Sequence, residues 1–347
     1  MKEKILVALS GGVDSSAVCA LLKNSGYDVG GATMRLCPDG CEDPSLDAKN
    51  AAEKLGVPFH LFDMREEFRK NVISDFIETY KRGETPNPCI VCNKTMKFGL
   101  FLDHAMELGY DKIATGHYAK IKEENGRYLL YKSDDERKDQ SYVLWSLSQH
   151  ALSRLLLPLG TLSKDEAREA ARGAQLENAN KKESQDICFV PDGDYAGFIL
   201  RESGLTFPAG EFVTDEGKVM GTHKGIIHYT VGQRRGLGLA LPAPLYVKAK
   251  DVTANRVILC PAERLFSKEL SAHSVNWIAF DTLSHPVRLE AKIRYGAKQV
   301  PCTVYADSDD KVRVVFDEPQ RAISPGQSVV FYDGDMVVGG GIISSEK

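Results

Sequence analysis

Residues 4–16 read Lys-Ile-Leu-Val-Ala-Leu-Ser-Gly-Gly-Val-Asp-Ser-Ser, and this stretch decides the first part of the architecture. Ile5 to Leu9 form a continuous apolar run of strand length, the pattern of a strand buried on both faces. The glycine-rich turn Ser10-Gly11-Gly12-Val13-Asp14-Ser15-Ser16 follows, and a helix is then predicted from Ala17 to Lys23, where Asn24-Ser25-Gly26 ends it. Two glycines between a strand and a helix let the backbone fold tightly, so that several N–H groups converge on one point. The helix N-terminus adds its partial positive charge and Ser10, Ser15 and Ser16 add hydroxyls, which makes an anion-binding turn. Asp14 is placed to help hold Mg²⁺ against bound phosphates. The Gly-Lys-Ser/Thr ending of the Walker loop is absent, so γ-phosphate transfer is not implied.

Outward from this turn, the stretch DVGGATMRL (28–36) predicts a second strand and SLDAKNAAEKLG (45–56) a helix. FHLFDM (59–64) predicts a third strand, and a helix spans roughly 65–82. A proline-rich loop, a helix over 94–109 and the strand DKIATGHYA (111–119) complete an alternation that implies a parallel sheet covered on both faces. IKEENGRYLLYKS (121–133) carries an Asn-Gly turn and predicts an inserted hairpin. Helices are predicted near 141–155 and 163–175, and the polar stretch 177–193 reads as a long functional loop. The pattern then changes to a short helix and a strand- and glycine-rich region up to about 272. Beyond it come short alternating strands punctuated by ADSDD, SPGQ and YDGD, the signature of a small β-barrel. The predicted organisation is α/β: a parallel-sheet domain over 1–192, a central α+β domain over 193–272 and a C-terminal β-barrel over 273–347.

The chain of 347 residues, 43% hydrophobic and 27% charged, suits a folded protein of several domains with no apolar run long enough to span a membrane. No secretory leader is read in its start, so a cytoplasmic location is expected. The formal net charge of −4 argues against indiscriminate nucleic-acid binding while leaving room for a local basic patch. Arg234-Arg235, flanked by glycines in VGQRRGLG, read as phosphate contacts. Trp145 and Trp277 read as core.

Eight cysteines in a long chain are no small disulfide scaffold; they read as thiols, metal ligands or redox catalysts. Cys19, Cys260 and Cys302 read as small core residues. Cys89 and Cys92 lie in the polar segment TPNPCIVCNK, stiffened by Pro86 and Pro88, and Cys188 lies far along the chain in SQDICFV. A thiolate can carry a persulfide sulfur and a second thiol can release it as a disulfide forms. The Cys-x-x-Cys pair also fits a zinc half-site or a redox pair, although no second pair with suitable spacing follows; Cys37 and Cys41 form a looser pair without a derivable role.

The turn SGGVDSS resembles the PP-loop of ATP pyrophosphatases, which cleave ATP between its α and β phosphates and leave an adenylated substrate. Along its whole length the chain resembles the bacterial tRNA-specific 2-thiouridylase family (MnmA), through ALSGGVDSS, Met34, TPNPCIVCNK, ATGHYA, KDQSYVLWSL, SQDICF, HYTVGQRRGLG, KIRY, ISPGQSVVFY and GGGII. The resemblance implies a PP-loop, adenine nucleotide α-hydrolase-like first domain and a barrel that helps to hold tRNA. It implies that Ala8, Leu9, Ser10, Gly11, Gly12, Val13, Asp14 and Ser15 cradle ATP, with Met34 and Gly116 on the adenosine side. Asn87, Pro88 and position 89 would lie against the target base. Cys92 matches the nucleophile, Cys188 the persulfide carrier, and Lys138, Asp139, Gln140, Arg294 and Tyr295 the tRNA contacts.

At position 89 the family usually carries Asp, and this chain carries Cys. Cys89, Cys92 and Cys188 would then bring three thiolates together, which raises a [4Fe-4S] cluster as an alternative to a persulfide–disulfide cycle. His117 reads either as an ATP-orienting group or as a satisfied strand-end histidine. The expected reaction is ATP-dependent adenylation of the wobble uridine C2 oxygen and its replacement by sulfur, with ATP and Mg²⁺. The expected partners are tRNAs for Lys, Glu and Gln and a cysteine-desulfurase-derived sulfur donor, and the expected state is a monomer. The alternatives are a PP-loop ligase or amidotransferase acting on a small metabolite, and a non-catalytic tRNA-binding sulfur-relay protein.

Overall fold

The structure is a computed structural model that describes residues 2–36, 45–173, 187–241, 243–308 and 310–345. The chain packs as two compact units. One comprises Met1–Val72, Cys89–Pro191 and Asp333–Gly339; the other comprises Ile73–Pro88, Asp192–Tyr332 and Gly340–Lys347.

The first unit is built on a parallel sheet of β1 (Lys4–Ala8), β2 (Asp28–Arg35), β3 (Phe59–Asp63), β4 (Lys112–Ala114) and β7 (Leu155–Leu156), in the order β3-β2-β1-β4-β7. The chain leaves β1 to one side for β2 and returns to the other side for β4. The carboxyl end of β1 is therefore the switch point where ligands bind in such sheets. α1 (Val13–Asn24) starts there, and its residues Ala17, Val18 and Cys19 are fully buried against Ile5 and Val7. α2 (Ser45–Leu55) contributes Ala48, Ala51 and Ala52 to the same core. The predicted hairpin forms as β5 (Ala119–Glu124) and β6 (Arg127–Lys132), with Asn125 at φ 52° and Gly126 at φ 79°. Two successive positive φ angles match the twist of the strands, which is why Asn-Gly sits there. Met336 and Val337 pair with Tyr131 and Leu130 at its edge.

The helical regions are less regular than the sequence predicts. The span 65–82 divides into α3 (Arg65–Phe68), a π-helical turn over Arg69–Ile73 and α4 (Ser74–Lys81). The helix expected from 94 begins earlier, as α5 (Pro88–Cys92), passes through a second π-helical stretch (Asn93–Leu100) and ends as α6 (Phe101–Glu107). Cys89 and Cys92 therefore stand on a helix and not in a loop: proline breaks helices from within but is well suited to a first turn, where its missing N–H has no partner to lose. π-Helical turns are uncommon and gather at functional sites. α7 (Gln149–Ser153) and α8 (Lys164–Gly173) follow; Ser148 caps α7 by accepting from Ala151 N at 3.2 Å.

The second unit contains α9 (Tyr195–Ser203), capped by Asp194, and a four-stranded sheet of β8 (Gly210–Thr214), β9 (Val219–His223), β10 (Tyr246–Asp251) and β11 (Arg256–Cys260) in the order β10-β11-β8-β9. A six-stranded barrel follows, made of β12 (Phe266–Trp277), β13 (Val287–Lys292), β14 (Val300–Ser308), β15 (Lys311–Arg321), β16 (Ser328–Asp333) and β17 (Met336–Ile343). Its order is β12-β15-β14-β13-β16-β17, and a β12–β17 pairing closes it. Alternate residues Val312, Val314 and Phe316 of β15 point inward and are buried, so the period-2 pattern of the sequence becomes the barrel lining. The expected α/β class with a C-terminal β-barrel is the observed one. No helix among the described residues is long and apolar enough to cross a membrane.

Candidate functional site

The turn after β1 has the geometry of an anion site. Gly11 adopts φ 69°, and the N-cap of α1 is Gly12, which has no side chain to occupy the first turn of the helix. Ser15 Oγ accepts from Ser10 N at 3.1 Å, and both Ser15 and Ser16 donate to Gly12 O, so the serines pin the loop around its N–H groups. Gly116, just past β4, lies so close that a Cβ there would stand 3.0 Å from Asp14 Cβ and 3.1 Å from Ser15 N. Met34, at the end of β2, is half-buried. Residues 8–15, Met34 and Gly116 thus meet at the carboxyl edge of one sheet, and donors of this kind fit a nucleotide phosphate.

Asp14 is held more firmly than its sequence context suggests. Lys164 Nζ, at the start of α8, lies 2.7 Å from both of its carboxylate oxygens, and the Tyr118 hydroxyl donates to Oδ1 at 3.0 Å. The Lys164 ammonium also sits 5.7 Å from the centre of the Tyr118 ring. Neither residue stands out in the sequence, since Lys164 is 150 positions away from Asp14. Lys164 and Tyr118 thus occupy the carboxylate that a phosphate-bound Mg²⁺ ion would draw on.

The thiols belong to the same unit. Cys92 is buried, whereas Cys89 and Cys188 reach solvent. Burial pushes the Cys92 thiol up to about 11; Lys97 pulls it down, and Cys188 and Cys89 oppose its ionisation. Cys89, although part of it reaches solvent, is raised as well because the protein packed around its sulfur desolvates it, with the same influences from Lys97 and Cys188. The three sulfurs thus share one electrostatic neighbourhood with Lys97. Burial also drives His117 well below 6.5, with Lys97 adding to the effect; the ring accepts or donates at 2.8 Å with Thr115 Oγ1 and packs 5.6 Å from Phe98. His117 directly follows Gly116, which packs on the glycine-rich turn, and its ring is anchored by Thr115. Asn93 is a further residue that the sequence did not signal. It is 1% exposed, its Nδ2 donates to Val143 O at 2.9 Å, and its Oδ1 has no partner among the described residues.

Among the described residues no three His, Cys, Asp or Glu side chains are placed to hold a metal ion. Cys37 and Cys41 lie outside the described residues. Cys19 and Cys302 are core residues whose thiols are pushed up to about 12, and Cys260 is buried as well. Trp145 is core, while Trp277 is half-buried and stacks on Phe331 at 5.6 Å.

The candidate RNA-contacting residues divide by exposure. Asp139 turns inward, accepting from Ser133 N, Ser141 N and Ser141 Oγ, and Gln140 Oε1 accepts from Tyr118 N at 3.0 Å. These two shape their loop, while Lys138 is half-exposed. In the second unit Arg294 is exposed and Tyr295 is 49% exposed in the turn after β13. Asn87 is half-buried and Pro88 buried. The residues before them are fixed: Gln327 Nε2 donates to Thr85 O and Pro86 O, both at 3.0 Å, and Thr85 N donates to Pro325 O at 2.8 Å.

Comparison with known proteins follows the same division. Residues 3–192 match the tRNA methyl transferase HUP domain, residues 198–261 the tRNA methyl transferase PRC-barrel domain and residues 267–343 the aminomethyltransferase beta-barrel domain. The chain is 49% identical over 354 residues to the tRNA-specific 2-thiouridylase MnmA of Clostridium acetobutylicum, covering 99% of this chain and 100% of that one. It belongs to the tRNA-specific 2-thiouridylase family. Members from Acetivibrio thermocellus and Clostridioides difficile are each 48% identical, over 356 and 355 residues, with 99% of this chain and 99% and 98% of theirs covered. Cys89 places a second thiol on α5 one helical turn before Cys92.

Proposed function

We propose that the protein is an ATP-dependent tRNA 2-thiouridylase that adenylates the C2 oxygen of the wobble uridine and replaces it with sulfur. One observation carries the reading: a glycine-rich anion-binding turn and three thiols occur in one unit. ATP would lie on residues 8–15 with Met34 and Gly116 beside the adenosine, and the uridine would meet Asn87, Pro88 and Cys89. The C2 oxygen attacks the α-phosphorus, the bond to the β-phosphate oxygen breaks and pyrophosphate leaves. This turns a poor leaving oxygen into part of AMP. Loop N–H groups stabilise the charge that builds on the phosphorus oxygens. Asp14 would hold Mg²⁺, which when bound would neutralise charge on the phosphates.

Sulfur would arrive as a Cys188 persulfide from a cysteine-desulfurase-derived donor. Its terminal sulfur attacks C2 and AMP departs with the C2 oxygen. Cys92 then attacks Cys188 Sγ, breaking the S–S bond to the base, so that a Cys92–Cys188 disulfide forms and 2-thiouridine is released; a thiol reductant restores both thiols. Release of the sulfur as sulfide by Cys92 before attack is the other order of the same chemistry. A base stacked in a helix could not enter, which suits an anticodon loop as substrate. Lys, Glu and Gln tRNAs, a monomer and a cytoplasmic location complete the reading.

The test is incubation of anaerobically purified protein with unmodified tRNA, ATP, Mg²⁺ and a sulfide source, followed by nuclease digestion and mass analysis. 2-Thiouridine should form from the wild type. Cys92→Ala and Cys188→Ala should lose it at least 100-fold when a persulfide donor supplies the sulfur, yet keep tRNA-dependent pyrophosphate release. Pyrophosphate release without any dependence on tRNA would instead indicate a small-metabolite ligase. An iron assay on the same samples distinguishes a [4Fe-4S] cluster on Cys89, Cys92 and Cys188 from the persulfide–disulfide cycle.

A further inference from the structure

The second unit carries a group of arginines that no carboxylate neutralises. Most of its other arginines are paired: Arg201 with Asp192, Arg256 with Glu211, Arg264 with Asp215 and Glu216, Arg288 with Asp317 and Arg313 with Glu269. Arg234 and Arg235 are both exposed and have no ion pair among the described residues, in a chain whose net charge is −4. Unpaired guanidinium groups side by side repel one another, so an acidic surface that leaves two adjacent ones open is a surface prepared for an anion.

The loop that bears them is fixed. Gly232 N donates to Val247 O at 2.8 Å and Val247 N to Gln233 O at 2.9 Å, which joins the loop to β10. Gln233 closes it internally, accepting from Thr230 N at 3.0 Å and donating to Arg235 O at 2.9 Å. Gly232 adopts φ 88°, and a Cβ there would stand 2.9 Å from Ala322 Cβ, so only glycine lets the loop lie this close to the end of β15. Arg321, the residue before Ala322, packs its guanidinium 5.0 Å from the ring centre of Tyr246, the residue before Val247. Phe266, the cross-strand partner of Arg321, is 49% exposed. The loop is thus packed beside Ala322 and Val247, each next in sequence to a member of the Arg321–Tyr246 pair.

Beyond the arginines, Gly236 and Gly238 have φ 75° and 70°, and the N–H groups of residues 234–238 have no acceptor among the described residues. Alternating left-handed glycines turn successive N–H groups to one side, the arrangement that receives oxyanions. Arg234, Gly236 and Gly238 also wall an open hollow of about 360 Å³.

We propose that Arg234, Arg235 and Arg321 form a phosphodiester-binding surface that grips the backbone of the RNA substrate, separate from the Arg294–Tyr295 turn. The proposal rests on the thiouridylase reading for the identity of the RNA. The chemistry favours RNA over an acidic carrier protein. Guanidinium forks match phosphate oxygens two at a time, the loop offers N–H donors beside them, and Tyr246 and Phe266 give sugar and base a face to pack on. Such contacts carry no sequence information; they set register and orientation.

The test is the salt dependence of tRNA binding, measured by filter retention between 50 and 300 mM KCl for the full chain. For Arg234→Ala/Arg235→Ala the slope of log K against log salt should fall by about 1.4 to 1.8, since each phosphate contact contributes about 0.7–0.9. Affinity near 100 mM should drop at least tenfold, and Arg321→Ala should lower the slope by a further contact. Arg234→Lys/Arg235→Lys should restore the slope while recovering only part of the affinity. Unfolding temperatures should stay within about 1 °C of wild type, which separates lost contacts from lost folding. Unchanged slope and affinity in the double alanine variant would overturn the proposal and mark the arginines as solvated charge. Unchanged tRNA binding with loss of thiolation only when a carrier protein supplies the sulfur would assign the surface to that protein instead. A wild type that binds no tRNA would sink the thiouridylase reading itself.

Discussion

Replacing Lys164 by methionine isolates the interaction that holds Asp14. The ammonium lies 2.7 Å from both carboxylate oxygens, and the two side chains are 11% and 26% exposed. Breaking a fully buried pair costs about 3–5 kcal/mol, because a charge is left in a poor solvent, whereas exposed pairs are worth less than about 1 kcal/mol. Asp14 keeps the Tyr118 hydroxyl and some water, so the intermediate value of about 2 kcal/mol is expected. For a unit of this size each kcal/mol shifts the midpoint by about 2–4 °C, giving a loss of about 4–8 °C. The assay is thermal and urea unfolding of wild type, Lys164→Met, Asp14→Asn and the double variant. In the double variant neither charge is stranded, so it should be more stable than the sum of the two single losses by at least about 1 kcal/mol. Additive losses, or a Lys164→Met midpoint within 1 °C of wild type, would refute the argument that this ion pair fixes the nucleotide turn to α8.

Three further outcomes follow from the thiols, His117 and Asp139. Because Cys92 is pushed up from 9.0 to about 11, its thiolate fraction at pH 8 is about 100-fold below that of an ordinary cysteine. Alkylation of its peptide by iodoacetamide should rise nearly tenfold per pH unit between 8 and 10; a rate independent of pH would contradict the assignment. His117 has a folded pKa well below its unfolded value near 6.5, so the unfolded chain binds the extra proton first as pH falls. Its contribution is complete above pH 6.5 and is lost by up to about 1.4 kcal/mol per pH unit as pH falls from there towards the folded value, so urea midpoints for His117→Gln should depend less steeply on pH between 6.5 and 5 than those for wild type. Asp139→Ala strands three donors at a buried position and should cost about 2–4 kcal/mol, read as a lower unfolding midpoint; a stable variant that loses only tRNA affinity would make Asp139 a direct contact instead.

Much of this protein is local in its sequence. KILVALSGGVDSS determined a buried strand, an anion-binding turn and a helix, because an apolar run, two glycines and a helix start are each short-range signals. Asn125-Gly126 likewise determined a hairpin, and alternation in the last strands determined a barrel. What depends on distant residues was not legible. Lys164 looks like any solvated lysine until α8 brings it against Asp14, and Asp139 looks like a free carboxylate until Ser133 and Ser141 close around it. Cys89 and Cys92 read as loop residues because two prolines dominate their neighbourhood, yet Pro88 starts the helix that carries them. The height of the Cys92 pKa, the lowering of the His117 pKa and the packing of the Gly232 loop against Ala322 and Val247 come from burial and from contacts between residues far apart in sequence. Sequence by itself determined which chemistry the chain carries. Only the tertiary structure decided which groups face one another and in which charge state, because desolvation and pairing depend on neighbours that folding alone supplies.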